Sequence, residues 1–338
     1  MLPSFGSLFG ESIPAYFVCL MIGFAVATWI AARLAKRAGL DHELIIDLAL
    51  LSLVTGVLGA RLLHVLADGY FWDYVHLCTD PSLVIWRSVT SVQECRELGG
   101  AWDGTCHAVA RDCFAWLAFW NGGLAYYGGL IVASVAGCVF LRREGFPLFK
   151  GIDLVGAVMP VGLFFGRIGC FLGGCCFGIP THSFLGIRFP AGSAASYEQA
   201  ESGLLADKNL PSLPVHPTQL YEALGCLLIA LWLLVRRYPR KRFDGQVMLE
   251  FLCAYAVLRF GVELLRADDR GAWLGLSTSQ LLGLALLLFC GVVWRPLARR
   301  NPTQGEGAAT QAGIGVGVDP DAADTLAKAK AASGAPAP

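Results

Sequence analysis

The chain reads as an all-α polytopic membrane protein. Seven transmembrane helices are expected, with the N-terminus outside, the C-terminus cytoplasmic and a small external head. Three observations carry that reading. Of 338 residues, 55% are hydrophobic and only 15% charged, against about 25% charged in soluble domains. Apolar runs long enough to cross a bilayer, which takes about 17–25 residues each, recur along the chain. The loops between them alternate between strongly basic and sparsely charged. Lys+Arg and Asp+Glu number 26 each, so the formal net charge is zero. That balance excludes a basic nucleic-acid binder and an acidic disordered protein.

The runs fall at 15–32, 44–66, 114–141, 152–174, 218–235, 247–265 and 276–294. No basic stretch precedes the first, and Arg33, Lys36 and Arg37 follow it, the reverse of a cleaved signal peptide. The second passes outward and is followed by 67–113, where the basic residues are Arg87, Arg96 and Arg111. The third is interrupted by a Gly-rich stretch at 121–129 and is expected to be kinked or broken. It ends on Arg142, Arg143 and Lys150. The fourth leads to 175–217, with only Arg188 and Lys208. The fifth ends in Arg236, Arg237, Arg240, Lys241 and Arg242, and the seventh in Arg295, Arg299 and Arg300. Residues 1–14 carry no Lys or Arg, so the positive-inside rule puts the N-terminus outside.

Cys78, Cys95, Cys106 and Cys113 in the external insertion 67–113 permit two disulfides, in any of three pairings. The segment 175–217, rich in Gly, Ser and Pro, is expected to form the external head. Residues 1–300 are then one membrane domain. Residues 301–338, rich in Ala, Gly and Pro, read as a disordered cytoplasmic tail. Cys19, Cys138, Cys226, Cys253 and Cys290 lie in apolar runs and read as packing residues.

Charges inside a bilayer are costly and usually face a polar cavity. Arg61, Arg167, Arg259 and Glu263 lie within runs, with Asp47 and Arg266 at the margins. At a rise of about 1.5 Å per residue, Arg61, Arg167 and Arg259 sit roughly 25, 22 and 18 Å up from the inner ends of their helices. Guanidiniums from three runs therefore collect in the outer half of the membrane. One reading is structural pairing: Arg259 and Glu263 are one helical turn apart, and Glu222 and Glu250 are further partners. The other is an anionic headgroup, which Arg binds through a bidentate fork. Tyr255, Arg259, Glu263 and Arg266 share one helix face and mark an inward wall.

Three motifs add to this. Glycine pairs bracket two tyrosines in Gly122-Gly123-Leu124-Ala125-Tyr126-Tyr127-Gly128-Gly129, which suits close helix approach or a ligand site. Gly166-Arg167-Ile168-Gly169-Cys170-Phe171-Leu172-Gly173-Gly174-Cys175-Cys176-Phe177-Gly178 surrounds an Arg with glycines and thiols. His216-Pro217-Thr218-Gln219-Leu220-Tyr221-Glu222 opens the fifth run. Cys170, Cys175, Cys176 and His182 do not match a standard zinc spacing, and packing thiols or a disulfide are the favoured readings.

With these residues the sequence resembles the prolipoprotein diacylglyceryl transferases, over roughly 10–300. The segment Gly166 to Gly178 looks like that family's signature. His216 to Glu222 fits its HP-[ST]-QLYE block, and Arg259, Glu263 and Arg266 fit its R-x3-E-x2-R stripe. Tyr16 falls at its first-span tyrosine, Gly59-Ala60-Arg61 resembles its GGR segment, and Gly122 to Gly129 its third-span glycine motif. Departures are Cys170 for the family's usual Asn, Cys175 for Glu, Tyr127 for His, and the insertion 67–113. They mark a divergent branch or a paralogue.

The resemblance implies a bacterial inner-membrane enzyme with its head in the periplasm. It would transfer the diacylglyceryl group of phosphatidylglycerol to the lipobox cysteine of a prolipoprotein and release glycerol 1-phosphate, the first step of lipoprotein maturation. Carried onto this chain, Arg167 and Arg259 hold the phosphate, and Arg61 and Arg266 the lipid path. Glu263 orients Arg259, Gly178 contacts the lipid, and Tyr16 and Tyr127 hydrogen-bond the headgroup or the thiol. The base is open among Tyr127, His216 and Glu222. The resemblance calls for no cofactor, no metal and no nucleic acid. The expected partners are phosphatidylglycerol, lipobox peptides and membrane lipid, and the chain is expected to be a monomer. The other reading is a lipid-binding or transport paralogue on the same scaffold.

Overall fold

The computed structural model describes residues 4–8, 11–67, 69–86, 89, 91–118, 123–267, 272–273 and 275–303. Arg87, Gly122 and the expected tail from 304 onward lie outside the described residues. A short hairpin, β1 (Ser4–Leu8) and β2 (Glu11–Pro14), leads into α1 (Ala15–Arg37). Next come α2 (Glu43–Ala67), the short α3 (Phe71–Thr79) and α4 (Val92–Glu97), and a two-residue hairpin, β3 (Ala101–Trp102) with β4 (Cys106–His107). Then α5 (Tyr126–Arg143), α6 (Leu148–Gly173), α7 (Ala194–Glu201), α8 (Thr218–Trp232) and α9 (Gln246–Glu263) follow. A last hairpin, β5 (Ala272–Trp273) and β6 (Leu276–Ser277), precedes α10 (Thr278–Arg300).

The protein is mostly helical, and five of its described helices are long and apolar enough to cross a membrane: α1, α2, α6, the run Thr218–Arg240 that continues α8, and α10. Each coincides with an expected run. The helices α5 and α9 have 18 residues each. The faces of α2 and α10 turned away from the bundle are apolar: Leu50, Val54, Leu58, Leu288 and Val292 are all exposed. Water does not favour so much apolar surface, whereas lipid does.

Packing places α6 at the centre, against α1, α8 and α9, while α2 pairs with α5 and α9 with α10. The α2–α5 contact depends on glycine. A Cβ on Gly59 would lie 2.6 Å from the Gly128 carbonyl oxygen, so the two backbones touch only because neither has a side chain.

The third expected run is broken, as its Gly-rich stretch implies, and its helix is shorter than the run. Residues 115–117 form a 3-10 turn, and the helix begins only at Tyr126. Gly123 takes φ +67°, a left-handed conformation that ends any continuous helix there. A Cβ on Gly123 would also collide with His64 and Arg61.

One end of the bundle is stapled by Asp153 of α6. Its buried carboxylate accepts from Lys241 Nζ (2.8 Å) and from the backbone N–H groups of Gly245 (2.9 Å), Val247 (2.9 Å) and Met248 (3.2 Å). The carboxylate faces the first turn of α9, where the helix dipole favours an anion. This fixes the register of α9 on α6, and so the position of everything α9 carries towards its other end.

Two small bodies lie off the bundle. The insertion 67–113 is closed by disulfides Cys78–Cys113 and Cys95–Cys106, one of the three open pairings. The head between α6 and α8 packs Phe177, Phe189, Ala195 and Val215 into its own core.

Candidate active site

Three helices meet at one carboxylate. Glu222, in the first turns of α8, is 1% exposed. One of its oxygens takes Arg167 Nη2 of α6 at 2.9 Å and the Tyr255 hydroxyl of α9 at 2.9 Å. The other takes Arg259 Nη1 of α9 at 3.4 Å. Arg259 also pairs with Glu263 one turn along, at 2.6 Å. Arg167 keeps 19% of its side chain exposed and Arg259 11%, so both guanidiniums still reach a surface. Each Arg has more donors than these carboxylates use, which leaves part of each fork for an incoming anion.

The sequence motifs explain the convergence. Pro217 opens α8, a helix start that needs no N–H. Thr218 and Gln219 of the first turn then reach across to α6: Thr218 Oγ1 donates to the Cys176 carbonyl and Gln219 Nε2 to the Cys175 carbonyl, both at 2.7 Å. The block from His216 to Glu222 therefore clamps the end of α6 with its first residues and grips Arg167 with its last.

Beyond Gly173, α6 ends on Gly174 in the left-handed conformation. That turn brings Cys175 and Cys176 back over Cys170, and the three Sγ atoms lie within 4.8 Å of one another. Cys176 alone among described non-glycine residues has positive φ, at 62°. Hydrogen bonds from the Cys170 and Cys175 thiols, together with the Arg266 guanidinium, hold the Cys176 thiol below the ordinary thiol range against the opposite pull of burial. Arg167 lies within electrostatic reach of Cys170 and Cys176, so the thiols and two arginines form one neighbourhood. Tyr16 belongs to it: its ring packs on Gly169, where a Cβ would stand 3.0 Å from Tyr16 Cδ2, and Arg167 and the thiols are in its field.

Other expected residues lie elsewhere. Arg61 is buried, and its guanidinium donates to the carbonyls of Ala115 (2.7 Å), Trp116 (2.9 Å) and Gly123 (3.2 Å). It lines a separate cavity of about 950 Å³ with His64, Tyr70, Tyr74 and Trp86, beneath the disulfide insertion. Gly178 gives its N–H to the His216 carbonyl at 2.8 Å, so that amide is engaged within the protein. His216 turns its Nδ1 to the Tyr221 hydroxyl at 3.2 Å. Tyr127 is 54% exposed and edges onto Tyr126, which is the tyrosine within the field of Arg167. Glu222, weighed as a base, has both oxygens engaged. Sequence reasoning underrated Glu222 and Tyr255 as the anchor. The signal was there: a lone acid near the start of one run, with Arg residues within two others.

The family model for prolipoprotein diacylglyceryl transferase matches residues 3–295. The chain belongs to the prolipoprotein diacylglyceryl transferase family. A relative from Clostridium tetani, named phosphatidylglycerol–prolipoprotein diacylglyceryl transferase, is 27% identical over 289 residues, covering 85% of this chain and 94% of the relative. Proteins of the same name from Finegoldia magna and Allorhizobium ampelinum are 27% and 35% identical, covering 85% and 54% of this chain and 92% and 60% of the relative.

Proposed function

We propose that this chain transfers the diacylglyceryl group of phosphatidylglycerol to the lipobox cysteine of prolipoproteins, forming a thioether and releasing glycerol 1-phosphate. The observation that carries the reading is the meeting of Arg167, Arg259 and Tyr255 on Glu222, from three separate helices. The reaction breaks a C–O bond to phosphate, so charge grows on the phosphate as the bond opens. Positioned guanidiniums are the groups that stabilise that charge. Arg167 and Arg259 take the phosphate, Glu222 and Glu263 aim them, and Tyr16 faces the reacting thiol. Arg266 holds the edge nearest the head, while Arg61 shapes the path beneath the insertion.

The topology we propose has seven spans, α5 and α9 completing the five apolar helices, with the N-terminus outside and the C-terminus in the cytoplasm of a bacterial inner membrane. Basic last turns support it: Lys36 and Arg37 on α1, Arg142 and Arg143 on α5, and Arg299 and Arg300 on α10. The Glu222 cluster then sits at the end away from those charges, at the depth of outer-leaflet headgroups.

The test is direct. Purified protein is mixed with phosphatidylglycerol and a lipobox peptide, and the added diacylglyceryl mass is read. Wild type gives product; Arg167→Ala inserts and gives none. Wild-type turnover in Arg167→Ala ends the phosphate role. No product from well-folded wild type favours the lipid-binding reading.

A further inference from the structure

The reaction needs a thiolate, and none of the candidate bases is placed for it. Glu222 is engaged on both oxygens, His216 faces Tyr221, and Tyr127 is exposed, its ring against Tyr126. The thiol cluster offers another source. We propose that Cys170, Cys175 and Cys176 form a three-thiolate Zn2+ site whose open fourth position takes the acceptor thiol; this role rests on the transferase reading above.

The geometry fits a thiolate cage. Zn–S bonds of about 2.3 Å put sulfur atoms about 3.8 Å apart, and these three lie within 4.8 Å before any metal draws them in. Their backbone is fixed: Gly174 turns the chain, Cys175 N–H donates to the Cys170 carbonyl at 3.2 Å, and Gln219 and Thr218 hold the two following carbonyls. Cys176 sits at φ 62°, a backbone conformation that side chains other than glycine rarely adopt, and it lies there with its sulfur beside the other two. Cys175 is exposed, so the cluster opens to a fourth ligand. His182 is not part of the group, so the ligand set is three sulfurs.

The charge is also matched. Three thiolates and Zn2+ carry one net negative charge, with Arg266 on Cys176 and Arg167 within reach. Catalytic zinc sites keep three protein ligands and one exchangeable position, and a thiol that enters it is deprotonated. The S–H proton passes to water at the mouth of the site. The thiolate sulfur forms the bond to the glyceryl carbon, the C–O bond to phosphate breaks, and glycerol 1-phosphate leaves with that electron pair, on the side of Arg167. Cu+ fits less well, because three sulfurs satisfy it and leave no open place.

Full-length protein in detergent is stripped with a chelator and titrated with Zn2+ and with Co2+ as a spectroscopic probe. One equivalent of metal is expected, with thiolate-to-cobalt charge-transfer bands that change when a lipobox peptide is added. Cys175→Ser, at an exposed position, weakens binding at least tenfold, whereas Cys138→Ser on α5 leaves it unchanged. Metal also shields Cys175 of wild type from maleimide, a readout that needs no variant to fold. Transfer falls at least tenfold on stripping and returns with Zn2+. Equal turnover with and without metal overturns the proposal while the transferase reading stands. No specific metal binding, a preference for Cu+ that excludes the peptide, or a disulfide among the three cysteines in the isolated protein overturns it too. Metal and peptide bound without product uphold the site and end the transferase reading.

Discussion

Replacing Glu222 by Gln removes one negative charge and leaves the shape. The amide oxygen can still accept from Tyr255, but the Coulomb attraction to both arginines is gone. At an effective dielectric of about 20, that attraction is about 5–6 kcal/mol for Arg167 at 2.9 Å and about 5 kcal/mol for Arg259 at 3.4 Å. Desolvation offsets most of this, and removing one partner of a buried pair costs about 3–5 kcal/mol in practice. Arg259 retains Glu263, so the loss falls chiefly on Arg167. Taking the low end, about 3 kcal/mol is about two decades in rate. We expect Glu222→Gln to insert, to keep its helix content, and to lose about 100-fold in kcat/KM for phosphatidylglycerol and a lipobox peptide. The partner variant is Arg167→Lys, which keeps the charge and loses the fork. Since both act on one contact, the double variant is expected to be little worse than the poorer single one, a coupling of about 1–3 kcal/mol. Activity of Glu222→Gln within threefold of wild type, or strictly additive losses, would refute the reasoning.

Asp153→Ala leaves three N–H groups of the α9 start without their acceptor and Lys241 with Asp244 alone, and a loss of about 3–5 kcal/mol in stability is expected, read by denaturant unfolding in detergent. Cys78→Ser with Cys113→Ser opens a 35-residue loop, worth about 3–4 kcal/mol of chain entropy; protease should then cut within 67–113 while the bundle stays intact. Gly59→Leu drives a side chain into the Gly128 backbone, and the loss of the α2–α5 contact is expected to lower the melting temperature by several degrees.

The helices were legible in the sequence because lipid imposes one simple demand, a long apolar run, and α1, α2, α6 and α10 meet it without ambiguity. The break before Tyr126 was visible only as glycine density. Its position depends on Gly123 fitting against His64 and Arg61 of another helix, which no local pattern records. The active site was half legible for the same reason. Arg167 and Arg259 stand out because an Arg in an apolar run is costly anywhere. Arg61 stands out equally, yet it serves the backbone carbonyls of the chain returning from the insertion. The cost of burial tells that a charge has a partner. It does not tell whether the partner is a substrate or three carbonyls.

The charges around Glu222 bear on how such a site accelerates a reaction. Arg167, Arg259, Glu222 and Glu263 sum to zero, so this cluster is no strong magnet for an anion at rest. In the proposed reaction the substrate phosphodiester carries one negative charge and the departing glycerol 1-phosphate approaches two. A pair of bare arginines would bind both states tightly, and tight binding of the substrate does not speed the chemical step. Arginines held by a carboxylate attract the singly charged substrate weakly and respond to the charge that grows as the C–O bond opens. Their orientation is already set, so no reorganisation is needed at that moment. On this view Glu222 is an inhibitor of binding and an aid to catalysis. Its removal should lower kcat while KM stays unchanged or falls, the opposite of what loss of a simple substrate-binding group would do.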